Sequence, residues 1–106
     1  FTTAPSLKEA RFIAAQLLKE KLAACINISP VESHYVWEGK LQKSNECLLF
    51  IKSKVSLYRK LEQLIVEKHS YAVPEVIAIP IRQGSRSYLN WIHDSVRRAS
   101  KQRRCR

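Results

Sequence analysis

The stretch AACINISPVESHYVWEGKLQKSNECLLFIK, residues 23–52, decides the fold of this chain. Apolar and β-branched residues are concentrated near its two ends, and Trp37-Glu38-Gly39-Lys40 lies at its middle. Because glycine takes positive φ without steric cost, Gly39 predicts a tight turn between two strands. Pro30 has no N–H to donate to a ladder, so we expect a bend or bulge there. The stretch therefore predicts a long β-hairpin whose second strand, residues 46–52, is buried on both faces.

Amphipathic helices are predicted on both sides of this hairpin. Ser6 can cap the first helix, and Glu9, three residues later, can complete a capping box. Apolar residues then recur at helical spacing to about Lys21. A second helix with its own apolar stripe is expected to start at Ser53 or Ser56.

The remainder of the chain predicts one more strand and one more helix. Residues 76–81 are strand-like, and Pro80 favours an edge position or the end of the strand. A third helix is expected after Gly84. With a strand cut short at Phe1, the order is β-α-β-β-α-β followed by an extra C-terminal helix. This order predicts an α+β, ferredoxin-like sandwich in one domain, residues 1–96.

The net charge of +10 is concentrated in one short segment. Residues 97–106 hold six of the 19 basic residues and no acidic residue. Residues 1–96 therefore carry 13 basic and 9 acidic residues, a net charge of +4. We interpret residues 97–106 as a solvated basic C-terminal tail, and we expect no nucleic-acid partner.

The three cysteines match no C-x-x-C pair, so a structural zinc site is not expected. Apolar runs are too short to span a bilayer, which argues against direct membrane insertion. No signal-peptide pattern is present, and the odd number of cysteines favours reduced thiols, so we expect a cytoplasmic location. The chain opens on Phe1-Thr2-Thr3, which is typical of the end of a strand, so an upstream targeting segment missing from this chain stays an open alternative.

Five motifs occur in order along residues 1–96. They are Leu22-Ala23-Ala24-Cys25-Ile26-Asn27, Ser33-His34-Tyr35-Val36-Trp37-Glu38-Gly39-Lys40, Glu46-Cys47-Leu48-Leu49-Phe50-Ile51-Lys52, Tyr71-Ala72-Val73-Pro74-Glu75-Val76-Ile77 and Tyr88-Leu89-Asn90-Trp91. Together they resemble the CutA family, which is linked to tolerance of divalent cations. Each motif is weak alone, but five in the same order are highly specific.

The resemblance implies a ferredoxin-like fold assembled as a tight homotrimer, with sheets extended through the long hairpins. It also implies an association with copper and other divalent cations, and in animals with the anchoring of acetylcholinesterase. The family is similar to the trimeric PII signalling proteins, which bind small effectors in clefts between subunits. No organic cofactor is expected.

Two positions depart from the family pattern. Thr2 stands where many bacterial members carry a cysteine, which removes one thiol from the copper ligands that the resemblance implies. His69-Ser70-Tyr71 stands where H-P-Y is common, so the proline is lost while the histidine and the tyrosine are kept.

Cys25, His69 and Glu75 are the side chains we nominate as ligands for Cu²⁺ or another divalent cation. Thiolate and imidazole suit soft and borderline metals such as copper and zinc. Each residue also has a structural interpretation: Cys25 as a small core residue, His69 as a cap at a helix end, and Glu75 as the partner of a lysine.

Six further side chains are candidates for an effector cleft or a trimer interface. They are Tyr35, Trp37, Lys52, Tyr71, Tyr88 and Trp91. Large aromatic residues in an oligomer are more often interface anchors than ligand cages. Lys52 is expected either to face Glu75 across a cleft and bind an anion, or simply to be solvated.

Enzyme activity has no support in the sequence, which lacks a G-x-S-x-G, a glycine-rich phosphate loop and an H-E-x-x-H. The first hypothesis is a trimeric copper-binding or PII-like signalling protein. The second is a trimeric scaffold that anchors or assembles a protein partner, with incidental metal binding. An RNA-binding domain on the same layout is disfavoured, because residues 47–51 lack its aromatic motif.

Overall fold

A computed structural model describes residues 1–98 of the chain and has a three-stranded antiparallel sheet with three α-helices. The elements are β1 (Thr2–Ala4), α1 (Leu7–Lys19), β2 (Cys25–Trp37), β3 (Lys40–Lys52), a short 3-10 turn (Val55–Leu57), α2 (Tyr58–Lys68) and α3 (Arg86–Ser95). From residue 99 on, the predicted tail lies outside the described residues. In residues 1–98 no helix is both long enough and apolar enough to cross a membrane.

The predicted hairpin is confirmed, and β3 is its central strand because the sheet order is β1-β3-β2. Glu38 and Gly39 both have positive φ, 53° and 77°, as a two-residue turn between twisted strands requires. The register runs without interruption and pairs Pro30 with Cys47, so the disruption expected at Pro30 is wrong. The proline is tolerated because β2 is an edge strand of this sheet.

The helices α1 and α2 contact each other, and α1 also packs on the sheet. Ile13 and Leu17 of α1, Leu61 and Ile65 of α2 and Leu49 of β3 are buried in one core. Burial of these side chains is the main favourable contribution to folding, at about 25 cal/mol per Å² of apolar surface.

The helix starts differ from the predictions in two details. Ser6 caps α1, since its Oγ accepts from the Glu9 N–H at 3.1 Å, but the Glu9 carboxylate accepts from Ser70 instead of completing a capping box. Neither Ser53 nor Ser56 caps α2, which the 3-10 turn leads into. The Ser53 hydroxyl instead donates to the Leu22 carbonyl at 2.6 Å and ties the end of β3 to the chain after α1.

The strand predicted over residues 76–81 is wrong for the described chain. Val76 forms a single bridge to Thr2, and the Ile77 N–H donates to the Phe1 carbonyl at 3.1 Å. The ladder stops there because β1 is three residues long and offers nothing further to pair with. Ile77, Ile79 and Ile81 are left 50%, 62% and 51% exposed.

The sheet has one face toward the helices and one open face. Because side chains alternate along a strand, the burial of Leu49 toward the helices places Ser44, Glu46, Phe50 and Lys52 on the opposite side. Their cross-strand partners on that side are Cys25, Asn27, Val31 and Ser33, and Tyr35 lies on the same side opposite Gln42. We call this side the open face. Since Phe50 is still 43% exposed, the prediction that residues 46–52 are buried on both faces is wrong.

Candidate functional site on the open face

One polar group on the open face is built around Lys52, at the end of β3. The Lys52 ammonium lies 3.7 Å from the Cys25 sulfur, donates to the Asn27 side-chain oxygen, and sits 4.7 Å from the centre of the Phe50 ring. The register explains this grouping, because Cys25 pairs directly with Lys52 and Asn27 pairs with Phe50. Cysteine sulfur is a ligand type that suits soft metals.

A second polar group lies further along the same face, toward the hairpin turn. Tyr71 reaches in from the loop after α2, and its hydroxyl donates to Glu46 Oε2 at 2.6 Å. The hydroxyls of Tyr35 and Ser44 are hydrogen-bonded at 2.7 Å. Burial, and then the hydrogen bond and charge of Glu46, raise the pKa of Tyr71 well above its usual value. Tyr71 therefore stays protonated near neutral pH and keeps its donor role.

His69 holds the Tyr71 loop against the body of the protein. Its side chain is fully buried, and Nε2 lies 2.6 Å from the Thr3 carbonyl, which can only accept, so Nε2 carries the proton. Nδ1 then accepts from the Tyr71 N–H at 3.0 Å. Glu9 Oε2 lies 3.4 Å from Nδ1, but this contact is not an ion pair, because the ring is neutral while Nδ1 accepts.

The three nominated metal ligands do not form one site. Cys25 lies in the group around Lys52, His69 uses both ring nitrogens inside the protein, and Glu75 is exposed. Across residues 1–98, no group of three or more His, Cys, Asp and Glu side chains is placed to hold a metal ion. Lys52 is engaged by Asn27 and Cys25 on its own sheet, and the expectation that it either faces Glu75 across a cleft or is solvated stays a prediction.

The remaining nominated aromatic residues lie at the end of β2 and on α3. Trp37 is half-exposed beside the hairpin turn. Tyr88 and Trp91 are half-exposed on α3, with ring centres 5.6 Å apart. Their role in an effector cleft or a trimer interface stays a prediction.

Glu46, Ser44 and Asn27 belong to the two polar groups but are missing from the sequence-based candidates. The alternation of side chains along the two hairpin strands could have identified them. A two-residue turn at Glu38-Gly39 fixes the register, and that register puts Ser44 and Glu46 on the same face as Tyr35. The hydrogen bond from Tyr71 to Glu46 could not be predicted from this alternation, because it depends on where the loop after α2 folds back.

Comparison with known proteins gives one consistent family. The family model described as "CutA1 divalent ion tolerance protein" matches residues 1–95. The "Divalent-cation tolerance protein CutA" of Archaeoglobus fulgidus is 41% identical over 96 residues, which cover 91% of this chain and 94% of that protein. The chloroplastic protein CutA of Arabidopsis thaliana is 46% identical over 98 residues, which cover 92% of this chain but only 54% of that protein.

Solved structures agree with this comparison. The structure described as the periplasmic divalent cation tolerance protein CutA of A. fulgidus superposes with a TM-score of 0.88 at 41% identity, covering 91% of this chain and 94% of that one. CutA1 of Oryza sativa superposes with a TM-score of 0.87 at 45% identity, covering 91% and 89%. These relatives are described as periplasmic or chloroplastic, so the cytoplasmic location expected from the sequence stays a prediction.

Proposed function

The chain belongs to the CutA1 divalent ion tolerance family, and from that premise we propose that it is a homotrimeric, non-enzymatic protein that binds divalent cations, copper foremost. Its role would be tolerance of such ions or PII-like signalling. The observation that carries the cation part is the family match itself, which covers residues 1–95 with relatives named for divalent-cation tolerance. No step of the proposal requires catalysis.

Unpaired sheet edges support the trimer. Among residues 1–98, no strand lies beside the outer edge of β2, which is 13 residues long. Residues 77–81 follow the Val76 bridge without regular secondary structure and carry three exposed isoleucines at alternate positions. Exposed edges of this length are usually paired or covered in natural proteins. Joining them between copies would complete a fourth strand beside β1, in the order of a ferredoxin-like sheet.

Among the nominated copper ligands, Cys25 is the side chain best placed to bind. It is a free, partly exposed thiol on the open face, and the Lys52 ammonium donates to its sulfur at 3.7 Å. Copper is a soft metal that thiolates bind well. For His69 to ligate, the ring would have to release either the Thr3 carbonyl or the Tyr71 N–H. The exposed Glu75 would have to move toward a thiol on the sheet.

Replacing Cys25 with serine is expected to weaken copper binding by at least about tenfold, because the soft ligand is lost while the shape is kept. Calorimetric titration with Cu²⁺ measures this, and wild-type affinity should fall as the pH is lowered, because a thiol must lose its proton to ligate. Cys47→Ser is the matched control, since Cys47 lies on the helix-facing side of β3. Equal affinity in the wild type and Cys25→Ser would remove Cys25 from the site.

A trimeric scaffold for a protein partner is the second candidate. The half-exposed Tyr88 and Trp91 on α3, whose tilted rings lie 5.6 Å apart, favour it, because surface aromatics are typical anchors of an interface. In that case metal binding is incidental. A trimer that gives no heat with Cu²⁺ in the same titration would favour the scaffold over the copper-binding protein.

A further inference from the structure

The Cys25 thiol and the Lys52 amine face each other directly across the open end of the hairpin. The two residues are partners in the register of β2 and β3, and the Lys52 ammonium donates to the Cys25 sulfur at 3.7 Å. Both residues are half-buried. Lys52 also donates to the Asn27 side-chain oxygen, which holds the amine beside the sulfur. A thiol and a primary amine therefore lie in contact at one place on the sheet.

The backbone on both sides of this pair is fixed. The Ala24 N–H donates to the Lys52 carbonyl at 2.9 Å. The Ser53 hydroxyl donates to the Leu22 carbonyl at 2.6 Å. The stem of a lysine side chain is flexible by comparison. The nitrogen of Lys52 can therefore reach the sulfur by rotation of its own side chain, with no change in strand pairing.

The other cysteine of the described chain has a different environment. Cys47 lies on the helix-facing side of β3, and it pairs with Ala4 and Pro30, neither of which carries a side-chain amine. Because Cys25 lies five positions from Pro30 on β2, about 16 Å along the strand separates the two thiols, too far for a disulfide. The partner that residues 1–98 offer to an oxidised Cys25 is therefore the Lys52 amine.

We propose that Cys25 and Lys52 form a reversible oxidative crosslink, a sulfenamide bond between Sγ and Nζ, with hydrogen peroxide as the oxidant. The peroxide first oxidises the thiol to a sulfenic acid and is itself reduced to water. The Lys52 nitrogen then attacks the sulfur, so that an S–N bond forms and the S–O bond breaks. The ammonium gives up two protons, one to the departing oxygen, which leaves as water, and one to solvent. Sulfenic acids condense with backbone nitrogen in the same way.

The crosslink gives the open face a redox-sensitive modification site. This inference goes beyond the proposed function, because the reaction needs no metal ion. Two equivalents of a small thiol reduce the S–N bond, return the Cys25 thiol and the Lys52 amine, and become a disulfide. The crosslink also stops oxidation at a reversible stage, since a sulfenic acid that finds no partner goes on to the irreversible sulfinic acid. While the crosslink lasts, the Cys25 thiol is not available to any ligand.

Mass spectrometry of the metal-free full chain tests the crosslink after treatment with hydrogen peroxide and alkylation without a reductant. Trypsin should release residues 22–40 joined to residues 44–54, with the bond after Lys52 uncut because its amine is blocked. The joined mass should be that of the two peptides, with Cys47 alkylated, less about two hydrogens. Dithiothreitol added before digestion should restore the separate peptides and cleavage after Lys52.

Two variants control this peptide map, and circular dichroism shows that each is folded. Lys52→Arg should lose the joined peptide, and Cys25 should instead gain about 32 Da as the sulfinic acid. Cys47→Ser is the matched control and should keep the joined peptide. The wild-type map is decisive by itself: Cys25 left unmodified, or oxidised while trypsin cuts after Lys52, overturns the crosslink. A peptide joined to Cys25 through Cys47 or Cys105 overturns it as well.

The peptide map and the Cu²⁺ titration fail independently. A joined peptide in a protein that binds no copper supports the crosslink and removes the proposed copper site. Copper binding without a joined peptide leaves the proposed function standing and overturns the crosslink.

Discussion

His69→Ala is expected to lower the free energy of unfolding by about 3 kcal/mol, because it leaves two buried backbone groups without partners. The Thr3 carbonyl loses its donor at Nε2 and the Tyr71 N–H loses its acceptor at Nδ1. The fully buried ring also leaves a cavity. Urea unfolding followed by circular dichroism measures the loss. His69 is the cap residue at the C-terminal end of α2, as its structural interpretation had it, and its side chain is buried.

His93→Ala is the matched control, since the His93 side chain is 70% exposed on α3 and should cost little. His69→Gln keeps a side-chain donor and acceptor and should recover part of the stability lost in His69→Ala. If His69→Ala unfolds at the same urea concentration as His93→Ala, the two hydrogen bonds of the buried ring do not contribute as described. Any change in metal affinity caused by His69→Ala has to be read beside this loss of stability.

Ile79→Asp is expected to dissociate the assembly and to raise its dissociation constant by more than about a hundredfold, because an unpaired charge in an apolar contact costs several kcal/mol. Ile79 is the central residue of the three exposed isoleucines beyond the Val76 bridge. A trimer repeats the same contact at every copy, so each chain would bring one charge to it. Sedimentation velocity over a range of concentrations measures the change.

Val55→Asp provides the comparison for Ile79→Asp. Val55 is a 90% exposed apolar residue in the 3-10 turn before α2, so the same charge there remains in water. The Val55→Asp substitution should therefore leave the assembly intact. Dissociation by Val55→Asp as well, or a fully assembled Ile79→Asp, would show that residues 77–81 are not the contact between copies.

The local parts of the fold could be predicted because their causes are local. Gly39 fixes the turn, Ser6 caps α1, and apolar spacing identifies the helices. The absence of a strand over residues 76–81 could not be predicted, because a strand needs a partner and β1 provides only one bridge. Under the proposed trimer, the alternating apolar residues there pair with a neighbouring copy and do not form a strand within one subunit.

The site was harder to predict, because it depends on how distant segments meet. Cys25, His69 and Glu75 have suitable ligand types, but nothing in their spacing shows that His69 turns inward to Thr3. Glu46 appeared only as part of a strand motif, and its importance comes from Tyr71, 25 residues later. Register within a hairpin follows from sequence, whereas contacts between a loop and a sheet follow from the packing of the whole domain.

Native mass spectrometry of the wild-type chain with added Cu²⁺ tests the central claim most directly, since one spectrum reports both the number of subunits and the bound ions. Three chains of 12.3 kDa make an assembly of about 37 kDa. We predict this species at micromolar concentration, carrying three copper ions, one for each Cys25. A spectrum dominated by a 12.3 kDa chain without bound copper would contradict the account.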